Sequence, residues 1–126
     1  MAQPGYLNED TIAAVATALG GPIAIVRMSG PGSLPALLAL MGESGLRPPP
    51  RTLLRARLRA ASGAELDDAL VAFFPNPNSL TGEDVCELHL HGGSFGVTSI
   101  LEELFLLGVR QALPGEFSFR SVRNGK

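Results

Sequence analysis

Residues 74–93 read Phe-Pro-Asn-Pro-Asn-Ser-Leu-Thr-Gly-Glu-Asp-Val-Cys-Glu-Leu-His-Leu-His-Gly-Gly. The first half holds two prolines, two asparagines and a glycine, which interrupt strands and helices and therefore predict a loop. The second half alternates, with Cys86, Leu88 and Leu90 on one side. Glu87, His89 and His91 fall on the other side. Because a strand repeats every two residues, residues 84–91 are predicted to form a half-buried strand with three ionisable side chains in a row.

The rest of the chain supplies elements on both sides of this strand. Apolar and β-branched runs predict strands at residues 11–17, 23–28, 52–60, 66–74 and 109–113. Helical spacing predicts two main helices, at residues 33–41 and 94–107, with Ser33 as a cap and Gly42 as a stop. The predicted core stripe of the second helix is Val97, Ile100, Leu101, Leu104 and Phe105. This β-β-α-β-β-β-α-β order favours an α+β fold, with helices on one face of a mixed, mostly antiparallel sheet. Its β-α-β-β-α-β core resembles a ferredoxin-like unit.

Composition indicates one folded domain. Of 126 residues, 45% are hydrophobic and 17% are charged, which excludes a disordered chain. We expect a flexible leader at residues 1–9, a domain at residues 10–117 and a connection to a further segment at residues 118–126. The net charge of −2 gives no basic signature of nucleic-acid binding. The single cysteine, Cys86, excludes an internal disulfide and lies on the apolar side of its strand, which predicts a buried thiol.

The first ten residues show no basic region followed by an apolar run, so we expect no signal peptide, and no apolar run approaches the roughly 20 residues that cross a bilayer. We therefore expect a cytoplasmic protein that does not contact a membrane.

A stripe of arginines marks residues 52–60, where Arg55, Arg57 and Arg59 share one face. Such a stripe either binds phosphate groups or protects the edge of a sheet with charge. The second interpretation is the commoner one for a short strand, and we favour it.

The strand predicted at residues 84–91 is called the signature strand here, and its ionisable side has two chemical interpretations. Glu87, His89 and His91 together form the donor set of a two-histidine, one-carboxylate metal site. Alternatively, Glu87 alone accepts two parallel hydrogen bonds from a heterocycle that carries an amino group beside a ring N–H. The sequence has no P-loop motif, so a nucleotide site of that kind is excluded.

Four stretches resemble the N-terminal domain of the tRNA-modification GTPases called MnmE or TrmE. They are residues 10–17 (Asp-Thr-Ile-Ala-Ala-Val-Ala-Thr), 25–30 (Ile-Val-Arg-Met-Ser-Gly), 74–93, and 110–120 with its continuation to 126. The resemblance implies an α+β fold related to the tetrahydrofolate-binding domain of aminomethyltransferases. It also implies binding of 5-formyl- or 5,10-methylene-tetrahydrofolate, and a homodimer. The folate contacts of the family fall on Arg27, Glu87 and Lys126, and neither catalytic nor metal-binding residues are implied.

The resemblance further implies a larger assembly. The full-length enzyme, with an FAD-dependent partner subunit, modifies C5 of the wobble uridine in tRNA, and the folate donates the carbon. GTP, potassium and magnesium belong to a GTPase domain that would follow residue 126, so we expect this chain alone not to hydrolyse GTP. It would be either an isolated domain or the product of a truncated gene. The loop at residues 17–22 is one residue shorter than is usual in the family. Two other functions stay open: a small metalloenzyme built on Glu87, His89 and His91, and a pure interaction domain without folate binding.

Overall fold

The fold is taken from a computed structural model that describes residues 10–17, 22–42, 47–91 and 94–126. These residues form β1 (Ile12–Val15), β2 (Ile23–Ser29), α1 (Ser33–Met41), β3 (Leu54–Arg59), β4 (Glu65–Phe74), β5 (Val85–His91), α2 (Ser94–Leu106), β6 (Arg110–Gln111) and α3 (Glu116–Arg123). The predicted order is confirmed as far as β6, and α3 is additional to it. The predicted leader, most of the shortened loop, and Gly92 and Gly93 lie outside the described residues.

The strands form one mixed sheet in the order β3-β4-β5-β2-β1-β6. Neighbouring strands are antiparallel, except that β1 and β6 run parallel. The α+β class is therefore confirmed. The signature strand β5 lies near the middle of the sheet, between β4 and β2. The run from β2 to β6 contains one strand more than the β-α-β-β-α-β unit to which we compare it.

One face of the sheet packs against α1 and α2. The alternation of β5 places Cys86, Leu88 and Leu90 in this core, as predicted, and the matching positions of the neighbouring strands lie beside them. Burial of such apolar side chains is the main stabilising contribution to a fold of this size. The same cluster includes Val26, Met28, Leu37, Leu40, Leu58, Val71, Phe73, Val97, Ile100 and Leu104.

The opposite face is called the polar face here and is defined by Arg27, Leu70, Glu87, His89 and His91. Pairing of β2 with β5 sets Arg27 opposite Glu87, and pairing of β4 with β5 sets Leu70 opposite His89. Because side chains of directly opposed residues lie side by side, the register itself brings a cation and a carboxylate together in the middle of the sheet.

Two details of the helices differ from the prediction. Ser33 is the first helical residue rather than the cap: Gly32 occupies the cap position without a side-chain hydrogen bond, and the Ser33 hydroxyl donates to the Asp84 carbonyl at 3.1 Å. Phe105 is 39% exposed, because the buried stripe of α2 ends on Leu104 and the next residue lies about 100° further around the helix. The stop at Gly42 is confirmed by its left-handed φ of 67°.

The two outer strands are shorter than predicted. β3 begins only at Leu54, because Pro50 forms a bridge with Phe73 and the Arg51 amide donates to the Phe73 carbonyl at 2.8 Å. β6 ends at Gln111, since the Leu113 amide donates to Glu116 Oε1 at 2.8 Å. Among the described residues, none of the helices is long and apolar enough to cross a membrane.

Candidate functional site

The centre of the polar face is an ion pair between Arg27 and Glu87. The Nε and Nη2 atoms of Arg27 both donate to Glu87 Oε2, at 2.9 Å and 2.8 Å. The side chains are partly buried, with exposed fractions of 26% for Arg27 and 17% for Glu87. His89, two residues along β5, places its Nε2 3.1 Å from the other oxygen, Oε1. Three polar side chains are thus held together by the register of two central strands.

Glu87 is held in its charged form. Burial raises the pKa of this carboxyl group, but the hydrogen bonds from Arg27 and His89 outweigh burial, and the net shift of the Glu87 pKa is downward. A carboxylate that is partly desolvated and yet ionised is a strong and directional hydrogen-bond acceptor.

A small cavity adjoins this pair. Its volume is about 250 Å³, and its lining consists of Arg27, Phe74, Leu80, Val85 and Glu87. Apolar walls with a few converging polar groups are the usual construction of a small-molecule site. A second hollow, a groove of about 350 Å³, lies on the same face between Ile23, Leu70 and His91. His89 lines the groove and contacts Glu87, so it stands between the two hollows.

The structure does not bring Glu87, His89 and His91 together as one metal site. Although Glu87 and His89 are in contact, the His91 Nδ1 lies 2.7 Å from Asp67 Oδ1 on β4. The three side chains therefore do not converge on one point. Within the part of the chain that the structure describes, histidine, cysteine and acidic side chains nowhere gather in a group that fits a metal ion. The Asp67 carboxylate raises the pKa of His91, as expected for an imidazole beside an anion.

The arginine stripe of β3 and the single cysteine both have structural roles. Arg55 donates two hydrogen bonds to Asp68, and Arg57 lies 3.8 Å from Glu65, so these arginines of the edge strand β3 pair with acids of β4. This arrangement favours the edge-protecting interpretation over phosphate binding. Cys86 is fully buried, and burial raises the pKa of its thiol to about 12. The prediction of a buried core thiol is confirmed.

Lys126 is not among the residues that line the cavity. Its amide donates to the Ser121 carbonyl at 2.8 Å, and its Cε atom would lie 3.5 Å from a Cβ atom added at Gly82. Gly82 is two residues from Leu80 on the cavity wall. The structure thus brings Arg27 and Glu87 together and places Lys126 against the loop that borders their cavity.

A buried ion cluster around Arg120 of α3 is not predicted by the sequence analysis. Arg120 of α3 has no exposed surface, and it donates to Glu83 Oε1 at 3.1 Å, to Asp10 Oδ1 at 3.0 Å and to Glu116 Oε2 at 3.3 Å. Arg110 joins Asp10 to Glu116 from the other side. The spacing of Glu116 and Arg120 by four residues, directly after Gly115, is the one signal from which a paired helix could have been inferred.

Comparison with known proteins decides the family. The sequence model described as "GTP-binding protein TrmE N-terminus" matches residues 11–126. The tRNA modification GTPase MnmE of Paramagnetospirillum magneticum is 52% identical over 93% of this chain and 26% of its own length. The proteins of the same name from Phenylobacterium zucineum and Dechloromonas aromatica are 48% and 46% identical, over 93% and 95% of this chain and 26% of each relative.

The chain belongs to the TrmE N-terminal family. It spans about a quarter of the length of the curated relatives that it matches. The resemblance inferred from four motifs is therefore confirmed, and the observed α+β fold is consistent with it. Two of those motifs meet in the site, since Arg27 belongs to the second motif and Glu87 to the third.

Proposed function

We propose that this chain binds a reduced folate, 5-formyl- or 5,10-methylene-tetrahydrofolate, with the pterin ring in the cavity beside Arg27 and Glu87. In this proposal the chain is the N-terminal domain of a GTPase that modifies C5 of the wobble uridine of tRNA. The observation that carries the proposal is the ionised, partly buried Glu87 carboxylate, which lines a cavity together with Arg27 and three apolar side chains. The pterin ring presents an amino group beside a ring N–H, which is the donor pair that a carboxylate accepts.

The hydrogen bonds of Glu87 define how the ligand would enter. Oε2 already accepts two hydrogen bonds from Arg27, and Oε1 contacts His89. Because each carboxylate oxygen has two lone pairs, one acceptor position is left on Oε1 and none on Oε2. A ligand that donates to both oxygens must displace one of the Arg27 hydrogen bonds. The released guanidinium would then donate to the carbonyl oxygen of the pterin ring, so that Arg27 keeps an acceptor throughout.

The cavity is large enough for only one part of the proposed ligand. Pockets that enclose a drug-sized molecule have roughly 300–1,000 Å³, whereas this cavity has about 250 Å³. A fused bicyclic ring fits such a volume, and the aminobenzoyl-glutamate tail would extend outside it. Lys126, which is exposed and lies beyond Gly82, is the cation proposed for the tail carboxylates.

Assembly is the second part of the proposal. Ile23 and Leu70, neighbours on the polar face, are 59% and 43% exposed. Exposed apolar side chains that lie together are typical of surfaces that another chain covers, and they support a homodimer. In this proposal the enzyme acts in the cytoplasm. Other parts of it would hydrolyse GTP with potassium and magnesium, and would contact the FAD-dependent partner subunit and the tRNA. Light scattering at micromolar concentration tests the dimer, and a monomeric mass would contradict it.

Calorimetric titration with 5-formyltetrahydrofolate tests the binding proposal. We expect saturable binding to the unchanged chain, and weaker binding to Lys126→Ala. Tetrahydropteroate, which lacks the glutamate tail, is the matched ligand: its affinity should not depend on Lys126. Equal loss for both ligands would remove the assignment of Lys126 to the tail. If the unchanged chain does not bind folate, the alternative of a pure interaction domain is favoured. The hydrogen bonds between Arg27 and Glu87, which pair the two side chains without a ligand, are compatible with that alternative.

A further inference from the structure

Helix α3 contacts the loop that forms one wall of the cavity. This loop, residues 79–83, is called the wall loop here, and its Leu80 lines the cavity. The Ser121 hydroxyl lies 2.8 Å from the Leu80 carbonyl and 3.1 Å from the Phe117 carbonyl, and donates to either. The Asn124 side-chain amide donates to the Thr81 carbonyl at 2.8 Å. Two consecutive carbonyls of the wall loop are therefore bound by side chains of a single helix and its end.

The charged end of the wall loop is tied to the same helix and to β2. Arg120 donates to Glu83 Oε1, and the Ser29 hydroxyl donates to the same oxygen at 2.7 Å. Ser29 also lies 2.6 Å from the Thr81 hydroxyl. Because Ser29 follows Arg27 by two residues on β2, Glu83 connects α3, the wall loop and the strand that carries Arg27.

Burial stabilises the part of this network that involves Ser29, Thr81 and Arg120. Ser29, Thr81 and Arg120 have no exposed surface, so water does not replace a hydrogen bond that opens. An unpaired buried polar group costs its full desolvation free energy, whereas an exposed one does not. The wall loop also fits closely against the end of α3: a Cβ atom added at Gly82 would lie 2.8 Å from Asn124 Cβ.

We propose that α3 is a clamp for the folate cavity, and that Arg120, Ser121 and Asn124 are positioning residues for the bound ligand. They do not line the cavity themselves; they hold the wall loop so that Leu80 keeps its position relative to Arg27 and Glu87. This inference rests on the proposed folate binding for its functional consequence. The mechanical part, a wall loop held by α3, is independent of any ligand.

The test uses the double variant Ser121→Ala/Asn124→Ala in the 126-residue chain. Both side chains lie toward the surface, so the variant is expected to fold. Ser118→Ala is the matched control, because Ser118 is an exposed serine of the same helix. Hydrogen exchange without ligand is the first measurement, read at the amides of Gly82 and Glu83, which are hydrogen-bonded within the wall loop. Calorimetry with 5-formyltetrahydrofolate is the second.

In the double variant, exchange at Gly82 and Glu83 should accelerate roughly tenfold or more, since each lost hydrogen bond is a factor of about five. Folate affinity should fall about fivefold or more by the same reasoning, while Ser118→Ala changes neither quantity. Unchanged exchange would overturn the clamp. Faster exchange with unchanged affinity would overturn the positioning role. Absence of folate binding by the unchanged chain would contradict the proposed function instead, and the exchange measurement then decides the clamp by itself.

Discussion

Replacement of Glu87 by glutamine tests both the ion pair and the ligand site, because it removes the charge and keeps the size of the side chain. A hydrogen bond to a charged group contributes roughly 1.5–3 kcal/mol, and a fully exposed ion pair roughly 0–1 kcal/mol. The Arg27–Glu87 pair lies between these cases, with exposed fractions of 26% and 17%. We therefore expect Glu87→Gln to lower the free energy of unfolding by about 1–2 kcal/mol.

Urea denaturation at pH 7 measures this loss, and Asp68→Asn is the matched control. Asp68 also accepts two hydrogen bonds from an arginine, Arg55, but that arginine is 75% exposed. The control should unfold at the same urea concentration as the unchanged chain. Equal stability of Glu87→Gln and the unchanged chain, or an equal loss in both variants, would show that burial does not strengthen the Arg27–Glu87 pair.

The contribution of the Arg27–Glu87 pair to stability should depend on pH. The pKa of Glu87 is lowered in the folded chain, so its pair stabilises the fold fully above the unfolded pKa of about 4.3. That contribution is lost as the pH falls through the lower, folded pKa. The difference in stability between the unchanged chain and Glu87→Gln should therefore be constant near neutrality and shrink below about pH 4.

Glu87→Gln should also weaken folate binding, and this effect is measured separately from the loss of stability. In Glu87→Gln an amide NH₂ faces the donors of the pterin ring, and we expect folate affinity to fall by about 2 kcal/mol or more, roughly 30-fold. His89→Ala, which leaves the carboxylate charged and paired with Arg27, should weaken binding far less. Unchanged folate affinity in Glu87→Gln would remove the assignment of Glu87 as the pterin anchor.

Three further predictions follow from single contacts. The NMR titration of His91 should give a pKa above its ordinary value, since the protonated imidazole donates a hydrogen bond to the Asp67 carboxylate, and Asp67→Asn should return the pKa toward that value. The buried Cys86 thiol, whose pKa burial raises to about 12, should react with a disulfide reagent only after unfolding, so fast native-state modification would contradict its core position. Gly82→Ala should destabilise the chain by about 1 kcal/mol or more, because φ is 81° and the added methyl meets Asn124; a melting temperature equal to that of the unchanged chain would disprove this close fit.

The strands and the first two helices could be predicted because their signal is local. Alternation in β5 and helical spacing in α1 and α2 record which side chains face the core. The pairing of Arg27 with Glu87 could not be derived in the same way, because it depends on which strands are neighbours and in which register. Those are long-range properties, set by the packing of the whole sheet.

The role of α3 was hidden for a different reason. Residues 116–123 contain two arginines, a glutamate and two serines, a composition typical of a solvated connection, yet Glu116 and Arg120 are buried. Charges are rarely buried without partners. The partners of Arg120 include Asp10 and Glu83, which are distant in sequence. Only the assembled fold shows that they meet, and therefore that the helix packs against the loop that forms one wall of the cavity.

Binding of a reduced folate in the cavity beside Arg27 and Glu87 can be followed by an NMR titration of the ¹⁵N-labelled chain with 5-formyltetrahydrofolate. We expect saturable shifts of the Arg27 Nε–H signal and of the amides of Leu80, Val85 and Glu87, while the Nε–H signal of the exposed Arg57 stays in place. Saturable shifts confined to the groove between Ile23 and Leu70, or no shifts at millimolar ligand, would contradict binding in that cavity.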